Sequence, residues 1–306
     1  MWHLLCMLFA SPKKVEITGL YRHPVKGMNA DSLQEVIVSQ RGETFPDDRR
    51  YALLWNKNIE KWKEEDPEWL HKENFLCAFT APKLFAEYLT SYQIVGSVDS
   101  LQSYGSPCDQ VCQDMDRKTK RLLTLRNRAT DEILLDSIDL STNGGREQLA
   151  TFFCHRSGKD VVCVTGSSDN HKHQFGNTSS GVKARGDTRT IHIINAATVR
   201  ELSTTLQIPI NPTRFRPNIV LDGLEPWEEF KWVDKSIRCG DMKLGVIKQT
   251  VRCAGASVDP LDQDNVLDIP KQLTKHYPMY GPYFGVYAVI DEPGTVKIGD
   301  TVSVTE

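Results

Sequence analysis

Short strand-like runs, interrupted by turn residues, dominate the chain from Val15 onward. The ranges 15–21, 32–38 and 50–55 are rich in β-branched and aromatic residues. The residues that separate them include Pro24, Gly27, Gly42 and Pro46. Runs of this length, bounded by Gly and Pro, are typical of strands rather than helices. The pattern predicts a small antiparallel sheet or barrel at the front of the chain.

The second half is also predicted to be β-rich. Gly-Asp turns at 240–241 and 299–300 each lead into an alternating strand, which suits a closed and strongly bent sheet. Apolar spacing predicts short helices within 82–92, 146–156 and 195–206. The expected fold class is therefore mixed α/β, predominantly β, with a β-barrel-like N-terminal domain and a second, C-terminal β-barrel domain.

The length of 306 residues favours two domains. A linker-like Ser-Thr-Asn-Gly-Gly stretch ends at residue 145, and we place the boundary there. The predicted organisation is an apolar segment at 1–14, a first domain at 15–145 and a second at 146–306. The apolar segment is too short to span a bilayer and lacks the basic start of a signal peptide, so we expect it to be frayed or docked, with a weak membrane anchor as the alternative.

Charge and cysteine content exclude several classes of protein. Lys and Arg number 37 against 40 Asp and Glu, and a net charge of -3 offers no general electrostatic footprint for nucleic acid. Eight cysteines are too sparse for a disulfide scaffold, so we expect mostly reduced thiols in an intracellular protein. The polar stretch 166–188 is long for a loop and predicts a site entrance or a mobile flap.

Cys253 is the first candidate functional residue. Arg252 precedes it, and the small residues at 254–256 leave room for a ligand. A neighbouring guanidinium favours the thiolate, which is the form that attacks electrophiles and binds metals. The spacing alone leaves a buried structural cysteine as the alternative.

Three cationic motifs accompany this thiol. Arg214, Arg216 and Asn218 precede a strand-like run, Lys26 and Gly27 lie in a Pro-containing turn, and 47–51 reads Asp-Asp-Arg-Arg-Tyr. Arginine forks suit phosphate or carboxylate, and glycine lets backbone amides approach an anion. Each motif alone fits a solvated surface. Together they predict an anionic, phosphorylated ligand in a cleft between the two halves.

In this order and spacing the motifs resemble the MOSC proteins, named for the C-terminal domain of molybdenum cofactor sulfurase, and most closely the two-part type that includes the amidoxime-reducing components. The resemblance covers residues 15–305. It rests on His-Pro-Val-Lys-Gly at 23–27, Asp-Arg-Arg-Tyr at 48–51, Phe-Arg-Pro-Asn-Ile at 215–219, Arg-Cys at 252–253, Val-Asp-Pro at 258–260 and the Gly-Pro-rich ending at 281–300.

The resemblance implies a pyranopterin molybdenum cofactor. Cys253 would be the catalytic residue and the metal ligand, since a soft thiolate suits molybdenum. The positions that the family uses to hold the cofactor correspond to Lys26, Gly27, Arg49, Asn195, Arg216, Asn218 and Arg252. The family often has Ser at position 27, so we expect backbone to replace any hydroxyl contact there. It also has larger residues than Ala-Gly-Ala-Ser at 254–257, a difference that bears on the shape of the substrate.

The implied activity is reduction of N-hydroxylated small molecules by a molybdenum-dependent oxidoreductase. Electrons would come from a b-type cytochrome and its flavin reductase, because no haem or iron–sulfur motif is visible. The expected location is intracellular, cytoplasmic or mitochondrial.

A sulfur carrier, sulfurtransferase or cofactor carrier that uses Cys253 is the alternative function, and an interaction module without the metal is a third. The sulfurase itself has a pyridoxal-dependent domain ahead of MOSC, which we do not expect here.

Overall fold

The computed structural model describes residues 14–96, 119–166, 173–176 and 189–305. The N-terminal apolar segment that the sequence predicts lies outside this part, as does most of the polar stretch 166–188. The strands are β1 (Glu16–Arg22), β2 (Asp31–Leu33), β3 (Glu35–Val38), β4 (Tyr51–Trp55), β5 (Phe75–Leu76), β6 (Tyr88–Val95), β7 (Lys120–Asn127), β8 (Ile133–Asp139), β9 (Val161–Thr165), β10 (Ile191–Asn195), β11 (Ile219–Asp222), β12 (Ser236–Cys239), β13 (Met242–Val251), β14 (Val258–Asp259), β15 (Asp262–Val266), β16 (Tyr283–Glu292), β17 (Gly294–Lys297) and β18 (Val302–Thr305).

Few helices accompany these strands in the described ranges. The α-helices are α1 (Pro82–Ala86), α2 (Asn143–Ser157), α3 (Ala196–Leu206) and α4 (Ile269–His276), and short 3-10 turns include Lys72–Asn74, Pro212–Phe215 and Ala254–Ala256. None of these helices is long and apolar enough to cross a membrane. The prediction of a predominantly β fold with a few helices is confirmed.

The largest sheet has eight strands in the order β18-β12-β13-β16-β10-β11-β1-β2. Neighbouring strands are antiparallel except β10 and β11, which are parallel. The pairing of β13 with β16 shifts register three times, and such irregularities bend strands, consistent with a curled, half-barrel sheet. All five residues of β10 are buried, because the strand packs against the hydrophobic core of the large sheet. Helix α3 begins directly after β10.

Two smaller sheets, β5-β4-β9 and β6-β7-β8, enclose a second core. Helix α2 packs into this core through Leu149 and Phe153, and β9 pairs with β4 along its whole length. The first strand, β1, belongs instead to the large sheet. Hydrogen-bonded pairings thus run across the predicted boundary near residue 145, which stays a prediction.

Candidate active site

One cleft gathers residues from distant parts of the sequence. The space between its walls is about 840 Å³ when open solvent at its mouth is counted. Seven of the eight site residues that the sequence predicts line it: Lys26, Gly27, Arg49, Arg216, Asn218, Arg252 and Cys253. The two cationic motifs of the front and the Arg-Cys pair of the second half are therefore neighbours, although their individual roles stay predictions.

Backbone hydrogen bonds hold together the front wall of the cleft, which is formed by the turns around Lys26 and Arg49. After β1 the chain runs beside the start of β4, where the Lys26 N–H donates to the Tyr51 carbonyl at 2.8 Å. The Arg49 N–H donates to the His23 carbonyl at 2.7 Å. These bonds fix the turn that holds Lys26 next to the turn that holds Arg49. The Lys26 ammonium then donates to the Phe175 carbonyl at 2.9 Å.

Gly27 occupies a position that only glycine accepts without strain. Its φ is +93°, and a Cβ there would lie 2.6 Å from the Ala78 nitrogen. The Ser that the family often has at this position would therefore collide with backbone. The cleft wall at this point is main chain, which agrees with the expectation that backbone replaces a hydroxyl contact here.

Arg216 connects the front wall to the loop of residues 253–256, which we call the cysteine loop. It follows the 3-10 turn Pro212–Phe215 in the left-handed region, with φ +50°. One guanidinium nitrogen donates to the Gly255 carbonyl at 2.7 Å and the other to the Gly27 carbonyl at 3.4 Å. Burial lowers the pKa of Arg216 to about 10, so the side chain is cationic at neutral pH.

Arg49 and Asn218 form the floor of the cleft. Arg49 pairs with the buried Asp48 carboxylate and donates to the Arg216 carbonyl at 2.9 Å. The Asn218 amide accepts from the His192 N–H at 3.0 Å and donates to the Tyr21 carbonyl at 3.1 Å. The Asn218 side chain is thus bonded to two strands of the large sheet, β10 and β1, and these bonds hold the floor in place.

Arg252 determines the protonation of a buried histidine. It donates to the Phe215 carbonyl at 2.9 Å and approaches His192 Nε2 at 3.4 Å. Because a guanidinium only donates, His192 Nε2 accepts and its proton is assigned to Nδ1, which faces the Arg216 carbonyl at 3.4 Å. Burial, aided by the Arg252 charge, lowers the pKa of His192 well below its usual value, so the ring is neutral.

Cys253 is a free thiol at the end of β13. Burial by itself raises its pKa, but the Gly255 N–H and the charges of Lys72 and Arg252 outweigh burial and bring the pKa below the ordinary value. The thiolate fraction is therefore larger than in an exposed cysteine, which favours metal binding and nucleophilic attack.

Asn195 is the exception among the predicted site residues. It is fully buried and lies outside the cleft, where its Oδ1 accepts from the Ala197 N–H at 2.9 Å and caps α3. Its amide donates to the Glu225 carbonyl and to the buried Glu229 carboxylate. In the described structure Asn195 thus caps α3 and donates to these two acceptors, and a cofactor role for this residue stays a prediction.

The sequence did not identify several residues of the cleft. Lys72, Cys77 and Phe79 come from a stretch of mixed pattern, and nothing in their spacing indicates a site. Gln174 and Phe175 belong to the polar stretch predicted as a site entrance, and the described residues 173–176 do contribute to the cleft. The prediction for the rest of that stretch lies outside the described residues.

The donors of the cleft fit an anionic cofactor. The Nε atoms of Arg216 and Arg252 are buried and have no hydrogen-bond partner among the described residues. Asp48, the carboxylate that Arg49 binds, already accepts from the His23 N–H and the Gln174 amide. A buried donor without a partner is costly, so these guanidinium groups favour an acceptor from outside the chain. A phosphorylated ligand supplies such acceptors.

Comparison with known proteins agrees with this geometry. Residues 170–303 match the family model for the MOSC domain. The second half of the chain is therefore similar to MOSC domains. Human mitochondrial amidoxime-reducing component 1 is 33% identical over 129 residues, which are 39% of this chain and 38% of that protein. Rat mitochondrial amidoxime reducing component 2 is 32% identical over 126 residues, 38% of this chain and 37% of that protein.

The matched part of the chain thus spans less than two fifths of these relatives' length. Among solved structures, YiiM from Geobacillus stearothermophilus is 17% identical, with a TM-score of 0.31 over 38% of this chain and 54% of that chain. The YUAD protein from Bacillus subtilis is 11% identical, with a TM-score of 0.38 over 95% of both chains. The resemblance that the motifs predict is confirmed at the level of the family.

Proposed function

We propose that this protein binds a pyranopterin molybdenum cofactor and reduces N-hydroxylated small molecules. The observation that carries the proposal is the environment of Cys253, a thiol of lowered pKa in a cleft whose walls carry Lys26, Arg49, Arg216 and Arg252. The combination suits a ligand with one soft metal centre and one strongly anionic group.

The residues divide between these two ends of the ligand. Cys253 would bind the metal, and Lys26, Arg216 and Arg252 would hold the phosphate. Gly27 gives the ligand access to main chain. When bound, the cofactor would supply two-electron redox chemistry.

The chain's own groups orient the ligand and control its surroundings. Asn218 and Arg49 keep the floor of the cleft fixed through bonds to main chain. The neutral His192 ring accepts from Arg252 and so keeps that guanidinium pointed at the cleft. The four cations stabilise negative charge on a bound ligand more strongly here than in water, because they are partly removed from solvent.

The proposed reaction converts an N–OH group to N–H and water, and it consumes two electrons and two protons. The electrons would come from a b-type cytochrome and its flavin reductase, as the resemblance implies. The names of both relatives include the word mitochondrial, and we include a mitochondrial location of this chain in the proposal.

Metal and pterin analysis of the purified protein tests the proposal. We expect stoichiometric molybdenum in the wild-type chain and loss of the metal in Cys253→Ala. Cys154→Ala is the matched control, since Cys154 is also a free, partly buried thiol but does not line the cleft. Molybdenum retained in Cys253→Ala would contradict the role of this thiol. Reduction of benzamidoxime with a supplied electron donor then tests the activity.

Sulfur or cofactor transfer is the second candidate, and one observation favours it. Cys77 is a second free thiol that lines the same cleft. Two thiols that face one space suit the handover of a sulfane sulfur atom. Mass spectrometry that finds an extra sulfur atom on Cys253, in protein without molybdenum, would favour this candidate over the reductase.

A further inference from the structure

Lys72 lies at the wall of the cleft and is not among the residues proposed to hold the cofactor. Its ammonium nitrogen is 3.9 Å from the centroid of the Phe79 ring, a close cation–π contact. The same ammonium approaches the Cys253 thiol and contributes to lowering its pKa. The neighbouring Glu73 carboxylate lies against His71 at 3.5 Å instead.

The other cations of the cleft are already bonded to oxygen atoms of the protein. Lys26 donates to the Phe175 carbonyl, Arg216 to the Gly255 carbonyl and Arg252 to the Phe215 carbonyl. Within the part of the chain that the structure describes, the Lys72 ammonium has neither a carboxylate nor a carbonyl within hydrogen-bond distance. An ammonium has three N–H donors, so Lys72 can donate to an anion without breaking an existing bond to oxygen.

The surfaces beside Lys72 are apolar. Phe79 is partly exposed, and Val251, on the other side of Cys253, is 46% exposed and pairs with the partly exposed Tyr283. The loop between these walls carries only Ala254 and Gly255, and a Cβ at Gly255 would still lie 3.5 Å from the Cys253 sulfur. A flat apolar group therefore has room next to the thiol.

We propose that Lys72 and Phe79 form a subsite that selects substrates carrying a carboxylate on a flat, apolar body. The ring holds the ammonium in place, and the ammonium pairs with the carboxylate at a partly desolvated position. The proposal rests on the reductase function and names its substrate class, an N-hydroxylated aromatic acid. Phe79 and Val251 would contact the two faces or edges of the aromatic ring.

A pair of substrates of nearly equal shape provides the test. We compare kcat/KM of the loaded enzyme for 4-carboxybenzamidoxime and 4-carbamoylbenzamidoxime, which differ in the carboxylate. The wild type should prefer the carboxylate about tenfold, equivalent to about 1.4 kcal/mol. Lys72→Met should bring the ratio close to one, and Lys72→Arg should keep most of it. Within each variant the ratio cancels any effect on Cys253 or on cofactor content, because both substrates experience it.

Lys63→Met is the matched control, since Lys63 is exposed and does not line the cleft. Its ratio should equal that of the wild type. A wild-type ratio near one, or a ratio that survives in Lys72→Met, would overturn the subsite.

Equilibrium binding separates this proposal from the reductase function. Calorimetry with 4-carbamoylbenzoate and with terephthalamide, neither of which can be reduced, should show tighter binding of the carboxylate to wild type and to Lys63→Met, and loss of that difference in Lys72→Met. If no amidoxime is reduced, the reductase function fails and the binding difference alone decides on the subsite. Equal binding of both compounds to wild type would then overturn it.

Discussion

Arg216 donates a 2.7 Å hydrogen bond to the carbonyl oxygen of Gly255, two residues beyond Cys253. Its other terminal nitrogen reaches the Gly27 carbonyl at 3.4 Å. One guanidinium therefore fixes the cysteine loop to the front wall of the cleft, although Gly27 and Gly255 are far apart in sequence. This side chain therefore contributes to the distance between Cys253 and the cations Lys26 and Arg49.

Replacing Arg216 with Lys should loosen the cleft. A lysine cannot span two carbonyls with a planar fork, and each hydrogen bond to a charged group contributes about 1.5–3 kcal/mol. We expect the free energy of unfolding to fall by about 2 kcal/mol and the molybdenum content to drop severalfold. Urea titration and metal analysis measure the two effects. Arg200→Lys, which changes an exposed ion pair with Asp222, should alter neither; equal loss in both variants would argue against the clamp.

Gly27→Ser should destabilise the protein although serine is common at this position in the family. The substitution places a Cβ 2.6 Å from the Ala78 nitrogen at φ +93°, and strain of this kind costs about 1–3 kcal/mol. Gly144→Ser is the control, because a Cβ at Gly144 meets nothing within 4 Å. Thermal unfolding of the two variants should separate them clearly. A Gly27→Ser protein as stable as the control would contradict the positive φ and the close approach of Ala78 at this position.

Asn195→Ala should weaken the fold and leave cofactor binding intact. Loss of an N-cap costs about 1 kcal/mol, and loss of the amide contact to Glu229 adds to this. We therefore expect urea denaturation at a lower midpoint, with unchanged molybdenum per folded chain. Loss of molybdenum at unchanged stability would support the cofactor role that the sequence predicts for this residue.

Glu229 should make the stability depend on pH. Burial raises the pKa of this carboxyl from 4.5 to about 7, against the hydrogen bonds from Asn195 and Thr198 that favour the anion. The folded protein thus binds a proton that the unfolded chain has lost, so Glu229 stabilises the fold at low pH. This contribution is present below pH 4.5 and disappears as the pH rises through about 7.

The size of the effect follows from the same shift. At 1.36 kcal/mol for each pKa unit, the contribution amounts to about 3 kcal/mol. Glu229→Gln removes the titrating group, so the unfolding free energy of the variant relative to wild type should rise between pH 5 and pH 8. A difference between the two proteins that stays constant with pH would contradict the raised pKa.

Local patterns predicted the parts of the cleft that lie in turns. Lys26 and Gly27, Arg49, and Arg216 each stand where Gly, Pro or charged residues interrupt a strand, and such signals are readable without the fold. Lys72 and Phe79 carry no such signal. They reach Cys253 because β5 pairs with β4, which is a contact between distant segments.

Tertiary contacts also determine where one predicted helix ends and which partners the Asn195 side chain has. The helix predicted within 82–92 ends at Ala86, because Tyr88 begins β6 and pairs with Asn127 of β7. The strand pairing outweighs the helical spacing of the apolar residues. The sequence predicts a cofactor contact for Asn195, whereas the side-chain bonds that the structure shows are to Glu225, Glu229 and the start of α3.

X-ray absorption at the molybdenum edge tests the central claim most directly, because it counts the sulfur neighbours of the metal. The wild-type protein and Cys253→Ser, both loaded with cofactor, are compared under identical conditions. We predict one sulfur neighbour more in the wild type than the pterin dithiolene supplies, and replacement of that sulfur by oxygen in Cys253→Ser. Identical sulfur counts in the two proteins would contradict the assignment of Cys253 as the ligand of molybdenum.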